Sequence, residues 1–345
     1  MNIKDYGLNY DSIPENADGI PARVTSVHKG RFGIVSEFGE GYARLKPKEY
    51  YYEGEEFPTV GDFVMIDYVE NGDSRIISTL KRKTYFSRRD PDKGKGEQAV
   101  ASNFDYVFIM QSLNNDFNPK RLERYLTAVA QSGATAVIVL TKADLCDDYL
   151  PYILDVSRVS QNAETHIVSA KTGFGMEKLN KYLIKGKTLV FLGSSGVGKS
   201  SLVNALAHKE IMDTNGIRED DSKGRHTTTH RELIKLDNGV MIIDTPGMRE
   251  LGMWDISVGL SQSFSDVEQF IGKCKFRDCT HENEPGCAIK KAIENKELDP
   301  VRFESYKKLK NEAKFTDDKV DFLRQKQQWG KNIRKYEKQK KKEIW

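Results

Sequence analysis

A chain of 345 residues with 38% hydrophobic and 30% charged side chains and a mean hydropathy of −0.60 has the length of two or three domains and is too apolar to be disordered throughout. Collagen-like, mucin-like and low-complexity classes are excluded by the same composition. The net charge of +3 hides an asymmetry: Val301 to Trp345 carries 15 lysines and arginines against 7 acidic residues, which leaves the first 300 residues at −5.

From the N-terminus, Met1 to Tyr6 has neither a basic start nor an apolar run, and the longest apolar runs, such as Ala136 to Leu140, are about five residues against the roughly 20 a membrane helix needs. The expectation is a cytoplasmic protein that meets no membrane. Between Ile20 and Leu80 five short runs read as strands: Pro21 to Val27, Arg31 to Glu37, Glu40 to Lys46, Asp62 to Tyr68 and Ser74 to Leu80. Gly30, Gly39, Gly41, Gly61 and Asn71-Gly72 punctuate them. Five strands in about 60 residues suggest a small barrel, OB-like or SH3-like, and both commonly bind RNA or protein. Residues 1–82 are assigned to it as an OB-like domain. Ser87 to Gly96, rich in glycine and charge, reads as a linker or mobile loop.

After it, strands and helices alternate. Tyr106 to Leu113 reads as a strand, and Asn118-Pro119 opens a helix whose Leu122, Leu126 and Val129 share one face and which Gly133 closes. Further strands are expected at Ala136 to Leu140, His166 to Ser169, Lys187 to Leu192 and Gly239 to Asp244. This is the pattern of a mostly parallel α/β sheet, assigned to residues 83–255. Beyond Ile256 helix formers dominate, so residues 256–345 are expected to form a mostly helical domain ending in the basic tail. The densest cations of that tail, Lys331, Arg334, Lys335, Lys338 and Lys340 to Lys342, suit either a polyanion or a solvated helix face.

Six motifs carry chemistry. Gly193-Ser194-Ser195-Gly196-Val197-Gly198-Lys199-Ser200 matches the phosphate-binding loop between an apolar strand and a helix, with Lys199 for the β- and γ-phosphates and Ser200 for Mg²⁺. Asp244-Thr245-Pro246-Gly247 ends a second apolar strand, where Asp244 suits Mg²⁺ through water and the Gly247 amide suits the γ-phosphate. Gly224 to Thr229 between them has the polar character of a nucleotide-ordered switch. Thr141-Lys142-Ala143-Asp144 and Ser169-Ala170-Lys171 each follow a strand. A carboxylate at Asp144 in the plane of guanine accepts from N1–H and the exocyclic amine, a pair adenine does not offer. Lastly, Cys274, Cys279, His281 and Cys287 fall within 14 residues and form a Cys₃His set, which implies one structural Zn²⁺. Cys146 stands apart, and the four cysteines do not read as a secreted disulfide framework.

These are the signature motifs of regulatory GTPases in an altered order, since the base motifs precede the phosphate loop. Order, barrel and cysteine cluster together resemble the RsgA (YjeQ or YloQ) family of bacterial, circularly permuted GTPases that act in small ribosomal subunit maturation. The resemblance implies a three-domain enzyme that hydrolyses GTP to GDP and phosphate, binds the 30S subunit and its rRNA with GTP, is stimulated there, and leaves with GDP; a monomer is expected. It implies that Thr141, Lys142, Asp144, Ser169, Ala170 and Lys171 bind the base, with the Ala170 amide facing its oxygen, and that Gly193 to Ser201 bind the phosphates. Thr228 becomes the Mg²⁺-coordinating threonine beside Ser200 and Asp244, with Thr227 and Thr229 as neighbouring registers. One departure is Thr141, where the common motif has asparagine. Another is Met248, where many GTPases place a water-orienting glutamine, so His226 in the switch, or a ribosomal group, is expected to supply it. The alternative reading is a GTP-dependent RNA-binding module acting on another RNA-protein assembly.

Overall fold

Strands β1 (Ile20–His28), β2 (Arg31–Ser36) and β3 (Gly39–Leu45) form an antiparallel meander, because Ala22, Val24, Phe32, Ile34 and Ala43 alternate onto one buried face. β4 (Phe63–Asp67) pairs with β1, and β5 (Ser74–Thr79) runs antiparallel to β4 and parallel to β3. The circuit β1-β2-β3-β5-β4-β1 therefore closes, and the parallel β3–β5 pair makes it the five-stranded OB arrangement rather than an SH3-like one. The computed structural model describes residues 2–28, 30–45, 57–89, 97–160, 162–212, 231–244 and 257–313. They belong to two compact units, residues 1–86 with 99–250 and residues 87–98 with 251–345.

The expected linker begins inside a strand. β6 (Tyr85–Arg89) and β7 (Glu97–Ser102) pair as a two-stranded ribbon, anchored where the buried Phe86 stacks on Phe104 at 4.7 Å. The charged residues that suggested a linker follow an aromatic pair that fixes the strand.

The α/β layer is ordered β10 (Glu164–Ile167), β9 (Thr135–Thr141), β8 (Tyr106–Ser112), β11 (Thr188–Leu192), β13 (Met241–Asp244) and β12 (Glu232–Lys235). All are parallel except β12, which returns antiparallel to β13. Helix α1 (Pro119–Ser132) is capped as its sequence demands: Asn118 Oδ1 accepts from the Arg121 amide, and Gly133 ends the helix at φ +80°. Helices α2 (Leu150–Val159) and α3 (Lys199–Ala207) follow β9 and β11. Phe108, Met110, Val139, Phe191, Leu202 and Ile242 form the core beneath the strands' C-terminal edge.

Barrel and α/β layer share one sheet. β1 bridges β12 at Ser26 opposite Glu232, which joins eleven strands in order. Arg23 completes the junction. Its side chain is 1% exposed, and its Nε, Nη1 and Nη2 donate to the carbonyls of Gly61, Tyr6 and Asn103 at 3.1, 2.6 and 2.9 Å. Burial lowers its pKa to about 10, still well above neutrality, so the guanidinium stays charged and ties three chain segments together.

The second unit is small. α4 (Ser257–Ser263), α5 (Ser265–Glu268), α6 (Ala288–Glu294) and a helix over 300–313 surround Leu260, Phe264, Val267, Ile289, Phe303 and Tyr306. Arg302 lies 3.9 Å above the Phe264 ring and donates to Asp266 at 3.1 Å, and the Tyr306 hydroxyl donates to Glu268 at 2.7 Å.

Arg23→Met keeps the packing volume but leaves the Tyr6 and Asn103 carbonyls without this donor, while the Gly61 carbonyl keeps the Asn103 amide, a loss of about 3 kcal/mol. Thermal unfolding is expected to start roughly 10 °C lower, with Arg23→Lys in between; a melt unchanged in Arg23→Met would show that the junction does not depend on this residue.

Candidate functional site

All five parallel strands end on one edge, so the motifs at Thr141, Ser169, Gly193 and Asp244 lie at the C-terminal ends of strands, where open α/β sheets bind ligands. The phosphate motif leaves β11 at Gly193, where a Cβ would come within 2.9 Å of both the Met110 carbonyl and Val197 Cγ1. Only glycine fits. Gly198, at φ +99°, turns the chain into α3, whose first residue is Lys199. Val197 is buried, whereas Ser195, Gly196 and Ser201 are exposed and Ser194, Gly198, Lys199 and Ser200 half-buried. Lys199 Nζ donates to the carbonyls of Gly193 and Ser194 at 2.9 and 2.8 Å.

Asp244 ends the neighbouring strand β13. Burial raises its carboxyl pKa, and the Lys199 charge pulls the other way. That opposition places a cation and a desolvated carboxylate at adjacent strand ends, an arrangement suited to a phosphate with its divalent ion.

The base motifs follow β9 and β10. Lys142 takes a left-handed conformation at φ +59° and turns the chain into a short 3₁₀ segment that carries Asp144. Ser169, fully buried, donates through Oγ to Asp144 Oδ1 at 2.6 Å and receives the Thr172 amide at 3.2 Å. The Ser169 bond holds the exposed Asp144 carboxyl below the usual carboxylate range, so it stays an ionised acceptor. Ala170 is half-buried and Lys171 exposed beside it.

Thr141 shows what the departure from asparagine does. Its side chain is 5% exposed, and Oγ1 donates to the Val197 carbonyl at 2.6 Å. The base segment is thereby tied to the phosphate loop 56 residues away. A second contact, to the Gln111 carbonyl, is longer at 3.3 Å.

The structure also brings in residues that the motifs did not name. Asp116, in the turn between β8 and α1, accepts from Ser194 Oγ and from Arg121. Asn118-Pro119 was the available signal, since a helix that starts directly after β8 must place its first turn at this edge. His226, Thr227, Thr228, Thr245, Pro246, Gly247, Met248 and the tail from Lys331 onward lie outside the described residues.

In the second unit, Sγ of Cys274, Cys279 and Cys287 and a ring nitrogen of His281 lie within 4.8 Å of one another. Nδ1 of His281 is 3.4 Å from Cys274 Sγ and 3.5 Å from Cys287 Sγ, and those two sulfurs are 4.0 Å apart. A tetrahedral zinc with bonds of about 2.3 Å to sulfur and 2.0 Å to nitrogen sets edges near 3.8 and 3.5 Å. The donors present fit that ion, and no open coordination position remains for substrate.

Comparison with known proteins agrees with this geometry. A family model described as RsgA GTPase matches residues 79–254. Small ribosomal subunit biogenesis GTPase RsgA 1 of Listeria innocua is 45% identical over 318 residues, 91% of this chain and 90% of its own. The RsgA of Syntrophotalea carbinolica is 40% identical over 90% of each chain. Among solved structures, YjeQ from Thermotoga maritima matches with a TM-score of 0.62 at 28% identity, covering 84% of this chain and 96% of its own. YloQ, described as a circularly permuted GTPase, shares the fold at 23% identity, with a TM-score of 0.60 over 88% of this chain and 98% of its own.

Proposed function

The chain belongs to the RsgA family of GTPases, and from that premise we propose that it hydrolyses GTP on the small (30S) ribosomal subunit during late maturation, is stimulated there, and leaves with GDP. The observation that supports this most is extent: the likeness to proteins named for small-subunit biogenesis spans about nine-tenths of the chain and so is not confined to the GTPase domain. An OB barrel built into the same sheet as the nucleotide site adds a face of the kind that binds oligonucleotides.

In this reading Asp144 selects guanine, Lys142 and the Ala170 amide complete the base site with Thr141, Ser169 and Lys171, and the loop from Gly193 to Ser201 takes the phosphates. Mg²⁺ is held by Ser200, Thr228 and Asp244, with the Gly247 amide on the γ-phosphate. Met248 lacks the polarity to orient water, so His226 or a ribosomal group completes the site when the subunit docks. The functional division is the barrel to residue 82, the permuted GTPase domain to 255 and the zinc domain beyond, with the lysine-rich tail on rRNA. In chain order the segment after Asp244 leads directly into the zinc domain, so an ordering that the γ-phosphate imposes there passes along the chain. The enzyme works in the cytoplasm as a monomer, and among the described residues no helix is long and apolar enough to cross a membrane.

GTP turnover measured with and without purified 30S subunits tests the reading. Stimulation of at least about tenfold is expected from 30S, since a supplied water-orienting or charge-stabilising group is worth far more than that in other GTPases. Equal stimulation by 50S subunits, or none by either, would contradict it.

Zinc is tested separately. Elemental analysis should find about one zinc per chain, and Cys279→Ser should lose it and lower the melting temperature of the second unit, because a structural zinc contributes folding free energy directly. A zinc-free wild type with an unchanged fold would refute the assignment.

A further inference from the structure

Side chains outside the motifs reach the phosphate loop from the turn between β8 and α1. Ser194 Oγ donates to Asp116 Oδ2 at 2.5 Å. Arg121 braces the same carboxylate, its Nη2 donating to Oδ2 at 2.9 Å and to the Asp116 carbonyl, and its Nη1 to Oδ1 at 3.3 Å. The Ser194 bond, with Arg121 behind it, holds the Asp116 carboxyl below the usual carboxylate range. On the other side of Ser194, its carbonyl receives Lys199 Nζ. One line of contacts therefore runs from Arg121 through Asp116 and Ser194 to the lysine that must meet the β- and γ-phosphates.

Stability does not explain this network. Gln111 Nε2 and Arg121 Nε are buried donors with no acceptor among the described residues, although Gln111 Oε1 accepts from the Asn118 amide and from Arg121 Nη2, both at 3.3 Å. A buried donor left unpaired costs about 1–3 kcal/mol. Asp116 is 43% exposed, where an ion pair adds little stability. Local cost beside a ligand loop is expected where the position of a group matters more than the stability of the fold.

We propose that Asp116, braced by Arg121, is a positioning residue for GTP: it pins the entry of the phosphate loop through Ser194, so that Lys199 waits on the loop's own carbonyls until the β- and γ-phosphates draw it away. The proposal rests on Gly193 to Ser200 being the GTP phosphate loop. Gly196 and Gly198 sit at positive φ, where the lack of a Cβ gives the backbone more conformational choice than other residues have. A pinned Ser194 removes part of that freedom before the nucleotide arrives, and pre-ordering of this kind strengthens binding. The chemical step is untouched, because the transition state meets the same donors once the loop is filled.

Equilibrium binding of a fluorescent GTP analogue and steady-state GTP turnover, both on the full chain, test this. Asp116→Ala is expected to raise Kd and KM about tenfold, the loss that one charge-assisted hydrogen bond brings, with kcat within about twofold of wild type. Asp116→Asn keeps an acceptor for the Ser194 hydroxyl and should stay within about threefold of wild type. Ser194→Ala should raise Kd as far as Asp116→Ala does, and the double variant should bind no more weakly than either. Wild-type Kd in Asp116→Ala, single effects that multiply in the double variant, a fall in kcat at constant KM, or equal losses of Kd and melting temperature in Asp116→Ala and Asp116→Asn would each overturn the proposal. Lys199→Ala separates the two readings: unimpaired GTP binding in that variant would refute the loop assignment itself. Binding lost in Lys199→Ala but retained in Asp116→Ala would refute only the positioning role.

Discussion

The hydrogen bond from Thr141 Oγ1 to the Val197 carbonyl turns two separate motifs into one site. Without it the base segment and the phosphate loop are two turns at the ends of different strands; with it they keep a fixed separation, as one nucleotide spanning both requires. Sheet register makes the bond available. β8 lies between β9 and β11 and pairs in parallel with both, so both motifs emerge at the same edge of the sheet. Permutation changes the order in which the chain visits the strands and leaves their places in the sheet alone. A hydroxyl therefore serves where an asparagine amide is common, because the acceptor is a backbone carbonyl that either group can reach.

The nucleotide half of the fold was largely legible in the sequence, because its signals are local. Apolar strands of five to seven residues, the Asn118 cap, the Gly133 stop and the glycines of the phosphate loop each state their conformation within a few positions. What depended on distant partners was not legible. β12 has only four residues, and its place is set by β13 and by Ser26 on β1. α2 buries only Val156 fully and so shows little apolar periodicity. Arg23 is the clearest case. Between Ala22 and Val24, which face the barrel core, strand alternation assigns it to solvent, yet Tyr6, Gly61 and Asn103 cover that outer face and supply three carbonyls. The Cys₃His set was visible as a spacing, but only the fold shows Nδ1 of His281 turned toward two of the sulfurs.

Each unit is stabilised by a different device. In the first, the barrel is not a module on a tether: β1 belongs both to the closed barrel and, through β12, to the sheet that carries Asp244. A ligand on the barrel and a nucleotide at the strand ends therefore act on one continuous hydrogen-bonded layer. The apolar core described in the second unit is modest, and a metal or a disulfide commonly reinforces a core of that kind. Its three clustered cysteines are free and, with His281, form a donor set that fits a structural metal.

The proposed guanine-nucleotide site is built from the loops after β9, β10 and β11 and read by Asp144. Competition binding of GTP and xanthosine triphosphate to Asp144→Asn tests it most directly, because the new amide can donate to the carbonyl that replaces guanine's exocyclic amine. GTP is expected to bind more weakly, xanthosine triphosphate more tightly, and the preference between them to reverse. A variant that keeps the wild-type preference for GTP would contradict it.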